Sequence, residues 1–151
     1  MKNFRIVICF LMLITIASLV SCSNISTKDI KLSIDMELTE DYDEDAPFID
    51  ERLIYVSEDA KNIDLNVSFQ MTGESGILEI ADNATGEIFW SESWDDDVSK
   101  TAFIIPLAKL QTEREYVIRF TGTKITYAKI EITSDSSFVK EQEKPLKPNR
   151  S

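Results

Sequence analysis

Two stretches of strict alternation constrain this 151-residue chain more than anything else in it. Ile30, Leu32, Ile34, Met36 and Leu38 fall on one side of an extended backbone, and Lys31, Ser33, Asp35 and Glu37 on the other. Ile63, Leu65, Val67, Phe69 and Met71 repeat the pattern against Asp64, Asn66, Ser68 and Gln70. Successive side chains of a strand point to opposite faces, so period two marks a strand with one face in a core and one in water. A helix would scatter the same apolar residues around its circumference. No long segment of the chain has helical spacing.

Shorter runs continue the theme. An acidic stretch from Glu40 to Glu51, with Pro47 inside it, reads as a loop, and Leu53–Val56 as a short strand. A turn over Thr72–Gly76 leads into a strand at Ile77–Ala81, and Asp82–Gly86 is a polar turn of the kind that joins hairpin strands. The next strand, Glu87 to Trp94, stops at Asp95, Asp96 and Asp97, because aspartate suits turns and not strands. Phe103, Ile105 and Leu107 alternate, with Pro106 marking a strand end or a sheet edge. Tyr116, Ile118 and Phe120 alternate with Glu115, Val117 and Arg119, and Gly122 turns the chain. In a last strand, Lys124–Thr133, the apolar parity slips from Ile125 and Tyr127 to Ala128, Ile130 and Ile132, which predicts a bulge near Tyr127. From Ser134 the chain is polar and carries Pro145 and Pro148, so residues 135–151 read as a disordered tail.

Seven or eight short strands over residues 29–134, with turns between them, predict an all-β domain, an antiparallel β-sandwich. A domain of that size buries roughly two-thirds of its unfolded surface, enough to fold without cross-links. Within it, Leu110-Gln111-Thr112-Glu113-Arg114-Glu115-Tyr116 resembles the tyrosine corner of fibronectin type III and related immunoglobulin-like domains. A leucine stands six positions before a tyrosine that opens a strand, although the proline and glycine common between them are absent. The resemblance implies an immunoglobulin/fibronectin-III-like sandwich in which the tyrosine hydroxyl satisfies a backbone group at the corner while its ring packs in the core.

The N-terminus carries a different signal. Lys2 and Arg5 precede an apolar run from Ile6 to Ala17, the length of a signal peptide's core and shorter than the ~20 residues of a membrane-spanning helix. Leu19-Val20-Ser21-Cys22 follows at once and resembles the lipobox of bacterial lipoproteins. The resemblance implies that residues 1–21 are a signal peptide, that Cys22 becomes the first residue and carries palmitate-class acyl chains, and that residues 22–28 form a tether. Two or three chains hold a protein on a membrane where one alone binds reversibly, at about 0.8 kcal/mol per buried CH₂. The expected location is the cell membrane or outer membrane, facing away from the cytoplasm. Cys9 would leave with the signal peptide and Cys22 would be lipidated, so the folded part has no disulfide to rely on.

Composition narrows the chemistry. The formal charge of −11 becomes about −13 once Lys2 and Arg5 are removed, which repels nucleic acid. The chain has no histidine, which rules out imidazole-based triads and dyads. No cofactor is expected, and no catalytic residue stands out among the many carboxylates.

Three groups remain as candidate sites. Asp41, Asp43 and Asp45 imitate the opening of a calcium loop, but Ala46 and Arg52 occupy the positions where an EF-hand needs glycine and glutamate. Asp95, Asp96 and Asp97 are a second source of oxygens; for both groups the alternative is a solvated acidic loop. Trp90 and Trp94 share a face of their strand with Ile88 and Glu92. They either pack in the core or form a platform for sugar rings with Glu92 between them, and Phe89 takes the opposite face. The chain therefore reads as an envelope lipoprotein acting as a non-catalytic binding or structural module for a protein or glycan partner. A carbohydrate-binding lipoprotein using Trp90 and Trp94 is the first alternative. An inhibitor-like immunoglobulin fold is the second.

Overall fold

The structure, a computed structural model, describes residues 30–38, 46–58 and 60–143. The lipobox residues Leu19, Val20, Ser21 and Cys22 and the aspartates Asp41, Asp43 and Asp45 lie outside the described residues. Among the described residues nine strands follow one another: β1 Leu32–Glu37, β2 Phe48–Val56, β3 Ala60–Thr72, β4 Ser75–Asp82, β5 Ile88–Asp95, β6 Val98–Leu110, β7 Arg114–Thr123, β8 Tyr127–Ser134 and β9 Val139–Gln142. They form two antiparallel sheets, one ordered β1-β8-β3-β6 and the other β5-β4-β7-β2-β9. No described residue is helical.

The core lies between the sheets and follows the alternation. Leu32, Ile34 and Met36 of β1, Ile63 through Met71 at every second position of β3, and Ala128, Ile130 and Ile132 of β8 are buried from one side. Ile54 and Val56, Leu78 and Ile80, and Tyr116, Ile118 and Phe120 meet them from the other sheet. At about 25 cal/mol per Å² of apolar area, this shared layer is the main force holding the sheets together. Tyr116 makes the contact implied by the Leu110–Tyr116 pattern: its ring is buried, and its hydroxyl accepts the Gln111 amide at 2.9 Å.

The register defines two ends. Leu32 pairs with Ser134, Val56 with Arg114 and Val139, and Ala81 with Ile88. The odd-numbered strands thus start, and the even-numbered strands finish, at what we term the Leu32 end. The opposite, Thr72 end holds the β3–β4, β5–β6 and β7–β8 turns.

Several expectations change. The described residues form nine strands, not seven or eight, because residues 139–142 add to the edge of the second sheet. Val139 pairs with Val56 and is fully buried, and the Ser57 amide donates to the Phe138 carbonyl at 2.8 Å. Part of the stretch expected to be a disordered tail is therefore strand. β2 begins at Phe48, well inside the expected acidic loop. Its inward-facing Arg52 is tolerated because Nη2 donates to the Asp35 carbonyl of β1 at 2.9 Å and to Asp50 at 3.2 Å, at the open side of the sandwich.

The bulge expected near Tyr127 is absent, and β8 pairs regularly from Tyr127 onward. The parity slip has another origin. Residues 124–126 form a turn, and Ile125 drops from it into the end of the core, fully buried. It rests over Gly122, where an added Cβ would overlap Ile125 Cγ1 and lie 2.8 Å from its Cδ1. Real bulges fall instead between Phe69 and Met71, and between Ile80 and Ala81. Pro106 sits where its missing donor costs least, on the edge strand β6.

Candidate functional site

The hairpin joining β4 and β5 shows how acidic residues serve the fold. Asp82 is the one charged side chain among the buried described residues. Its Oδ1 accepts the amides of Thr85 at 2.8 Å and Ala84 at 2.9 Å, and Oδ2 meets Arg114 at 3.2 Å. Gly86, with φ of 75°, closes the turn by donating to the Asp82 carbonyl at 2.8 Å. The Thr85 amide is the largest cause holding the Asp82 carboxyl below its ordinary 3.8; burial opposes it, and Ala84 and Arg114 add to it. A depressed pKa stabilises the fold at neutral pH and ceases to do so as pH falls through the folded value. Asp82→Ala is therefore expected to cost about 2 kcal/mol at pH 7. The gap from the parent, read from urea midpoints, should narrow steadily as pH is lowered below 3.8.

The acidic run at the other end of β5 also has structural duties. Asp95, Asp96 and Asp97 are exposed at the β5–β6 turn. Asp96 adopts φ of 64°, a left-handed conformation that aspartate accepts better than most residues, and its amide donates to the Glu74 carbonyl. The Asp97 carboxylate accepts the Gly73 amide at 3.0 Å. Among the described residues no three acidic side chains converge as a metal site would require.

Trp90 and Trp94 are half-buried and pack against the core. Trp90 stacks on Phe103 of β6, with ring centroids 6.0 Å apart and planes 24° apart. Trp94 lies 4.4 Å from Phe69 and 6.0 Å from Phe103. The two indoles thus close the gap between edge strands β5 and β6, and each commits a face to a neighbouring ring. Glu92 between them is exposed. Phe89 does not take the opposite face. It is the extra residue of the bulge in β5, since Ile80 pairs with Trp90 and Ala81 with Ile88. Its ring meets Tyr116 edge-on at 5.3 Å, and Ile88 points to solvent.

Two surface hollows lie elsewhere. One, of about 410 Å³, is lined by Asp50, Arg52, Glu141, Gln142 and Glu143 at the open side of the sandwich. The Arg52 Nε there is buried and has no hydrogen-bond partner among the described residues. The other, of about 250 Å³, lies on the outer face of the four-stranded sheet and is lined by Ser68, Gln70, Lys100, Tyr127, Lys129 and Glu131. Register brings these residues together: Ser68 pairs with Glu131, Gln70 with Lys129, and Thr72 with Tyr127. In β6 the register shift leaves Ser99 and Lys100 opposite Gln70 alone, between the Phe69–Thr101 and Met71–Val98 pairs. A bulge re-aims side chains in this way. No sequence pattern marks these six as a site; five of them, all but Lys100 of β6, share outward parity in β3 and β8.

A model of one protein family, described as a domain of unknown function (DUF4624), matches residues 20–146. The chain belongs to the DUF4624 family. That match takes in the whole described sandwich, so the nine strands and both hollows are features of this DUF4624 domain. No curated protein and no solved structure matches it.

Proposed function

We propose that this DUF4624 chain is a bacterial envelope lipoprotein, lipidated on Cys22, whose immunoglobulin-like sandwich is a non-catalytic binding or structural module. The observation that carries the reading is the distance between the candidate anchor and the fold. Leu32, the first residue of β1, follows Cys22 by ten residues. Ten residues span at most roughly 35 Å. A lipid on Cys22 would hold the Leu32 end near the bilayer and turn the Thr72 end outward. The apolar alternation supports the same reading, because a core built wholly from packed side chains needs no disulfide or metal. A histidine-free, acidic surface suits binding better than acid–base chemistry or contact with polyanions.

The test is metabolic labelling with an alkyne-tagged palmitate in cells making the full chain. The parent is expected to take up label. Cys22→Ala, which leaves the sandwich sequence untouched, should take up none. Equal labelling of the two, or none in either, would overturn the anchor.

A further inference from the structure

We propose that the hollow lined by Ser68, Gln70, Lys100, Tyr127, Lys129 and Glu131 binds a neutral pyranose sugar. The inference deepens the binding-module reading by giving it a ligand class. It rests on that reading only for where in the cell the sugar is met.

A pyranose offers an apolar C–H face and a rim of hydroxyls that both donate and accept. The hollow offers the complement. Tyr127 is 37 % exposed and, unlike Trp90 and Trp94, has no aromatic neighbour among the described residues, so its ring is available for stacking. Around it stand the Gln70 amide, the Ser68 hydroxyl and the Lys100 ammonium, none with a side-chain hydrogen bond or ion pair among the described residues. Lys129 holds Glu131 Oε1 at 3.4 Å, which leaves the second carboxylate oxygen of Glu131 as an acceptor. Donors and acceptors thus alternate within one patch, as vicinal hydroxyls require.

Charge and topology argue against other occupants. The ammonium groups of Lys100 and Lys129 are offset by Glu131 and by Glu37, which pairs with Lys129 across β1 and β8. An anion finds no surplus positive charge here, on a chain whose net charge is −11. The site is centred on β3 and β8, which have strand neighbours on both sides, so a peptide strand finds no free edge to extend. Apolar lining is limited to the tyrosine ring and the lysine stems, too little for a hydrophobic ligand. At about 250 Å³ and open on one side, the hollow holds a ring against the sheet and does not enclose it. Weak binding of single rings and stronger binding of chains along the sheet follow from that shape. Tyr127 and Thr72 place the site towards the end that a Cys22 anchor would turn outward.

The experiment is saturation-transfer NMR on the full chain in detergent micelles. The probes are hexamers of α-linked glucose, β-linked glucose, xylose and mannose, with hexagalacturonate and an unstructured hexapeptide alongside. At least one neutral hexamer is expected to receive saturation at millimolar concentration. Tyr127→Ala and Gln70→Ala should each weaken it tenfold or more, and Tyr127→Phe less than threefold. Both positions face solvent, and an unchanged melting temperature checks that the variants are folded. Trp94→Phe should leave sugar binding unaltered. No transfer to any neutral hexamer, transfer indifferent to Tyr127→Ala, or a preference for hexagalacturonate or the peptide would each overturn the proposal. Failure of the anchor reads differently: a chain without lipid that still binds the hexamer keeps the site and loses only its envelope setting.

Discussion

Replacing Phe69 with alanine is expected to cost about 3–5 kcal/mol, the range for removing a buried aromatic side chain. Domains of this size have only about 5–15 kcal/mol of total stability, so the variant should be partly or wholly unfolded at physiological temperature. Phe69 is fully buried towards the C-terminal end of β3, with its ring 4.4 Å from Trp94 and 5.7 Å from Phe120. It links the two sheets and backs the indole that closes the β5–β6 gap. Truncation opens a cavity bounded on several sides by strands that are paired with both neighbours and cannot collapse inward. Urea titration followed by tryptophan emission reads the stability change, together with a red shift as Trp94 gains water. Phe69→Leu keeps most of the volume and should cost less than half as much. Phe138→Ala, at a residue 39 % exposed, should cost less than half as much as Phe69→Ala. A Phe69→Ala protein as stable as its parent would mean that the sheets do not meet at this ring.

The second large effect concerns Gly122. It pairs with Gly76 on one side and Phe48 on the other, under the side chain of Ile125. A methyl group there would occupy the space of Ile125 Cγ1, and the ring of Phe120 is only 3.3 Å away. Gly122→Ala is expected to destabilise by about 2–3 kcal/mol through overpacking. Ile125→Ala alone should cost about 2–4 kcal/mol by leaving a cavity. Combined, the two should cost at least about 1 kcal/mol less than the sum, because each relieves the other's fault. Chemical denaturation of the four proteins of the cycle gives the coupling. Strict additivity would show that Ile125 is not seated on Gly122.

The fold was legible wherever one residue in two had to be apolar. β1 and β3 announce themselves because both have a wet face and a dry face along their length. Pro106 announced an edge because a missing donor cannot be hidden in a central strand. What escaped had a different physical basis. The first half of β2 carries Asp50 and Arg52 on the inward parity, and the reach of Arg52 to the Asp35 carbonyl and to Asp50 makes that permissible. β9 spans four residues and anchors itself with Val139, too short a pattern to stand out from a polar tail. Phe89 changed side because a single extra residue in β5 shifts parity, and nothing local marks a bulge. Ile125 looked like strand because a residue dropped into the core from a turn is as apolar as one in a sheet.

The site was harder to read for a related reason. Trp90 and Trp94 drew attention as large aromatic residues in one strand, yet their partners, Phe69 and Phe103, come from β3 and β6. The hollow around Tyr127 exists only once β3, β6 and β8 lie side by side. Its residues are ordinary outward-facing polar side chains until register aligns them.

The proposed envelope setting of the module depends on the sulfur of Cys22. Intact-mass spectrometry of the native protein extracted from membranes reads its state directly. The expected mass is that of a polypeptide beginning at Cys22 plus a diacylglyceryl group, with or without a third acyl chain. A soluble product that still begins at Met1, or one cut at the same place with a bare thiol, would contradict it.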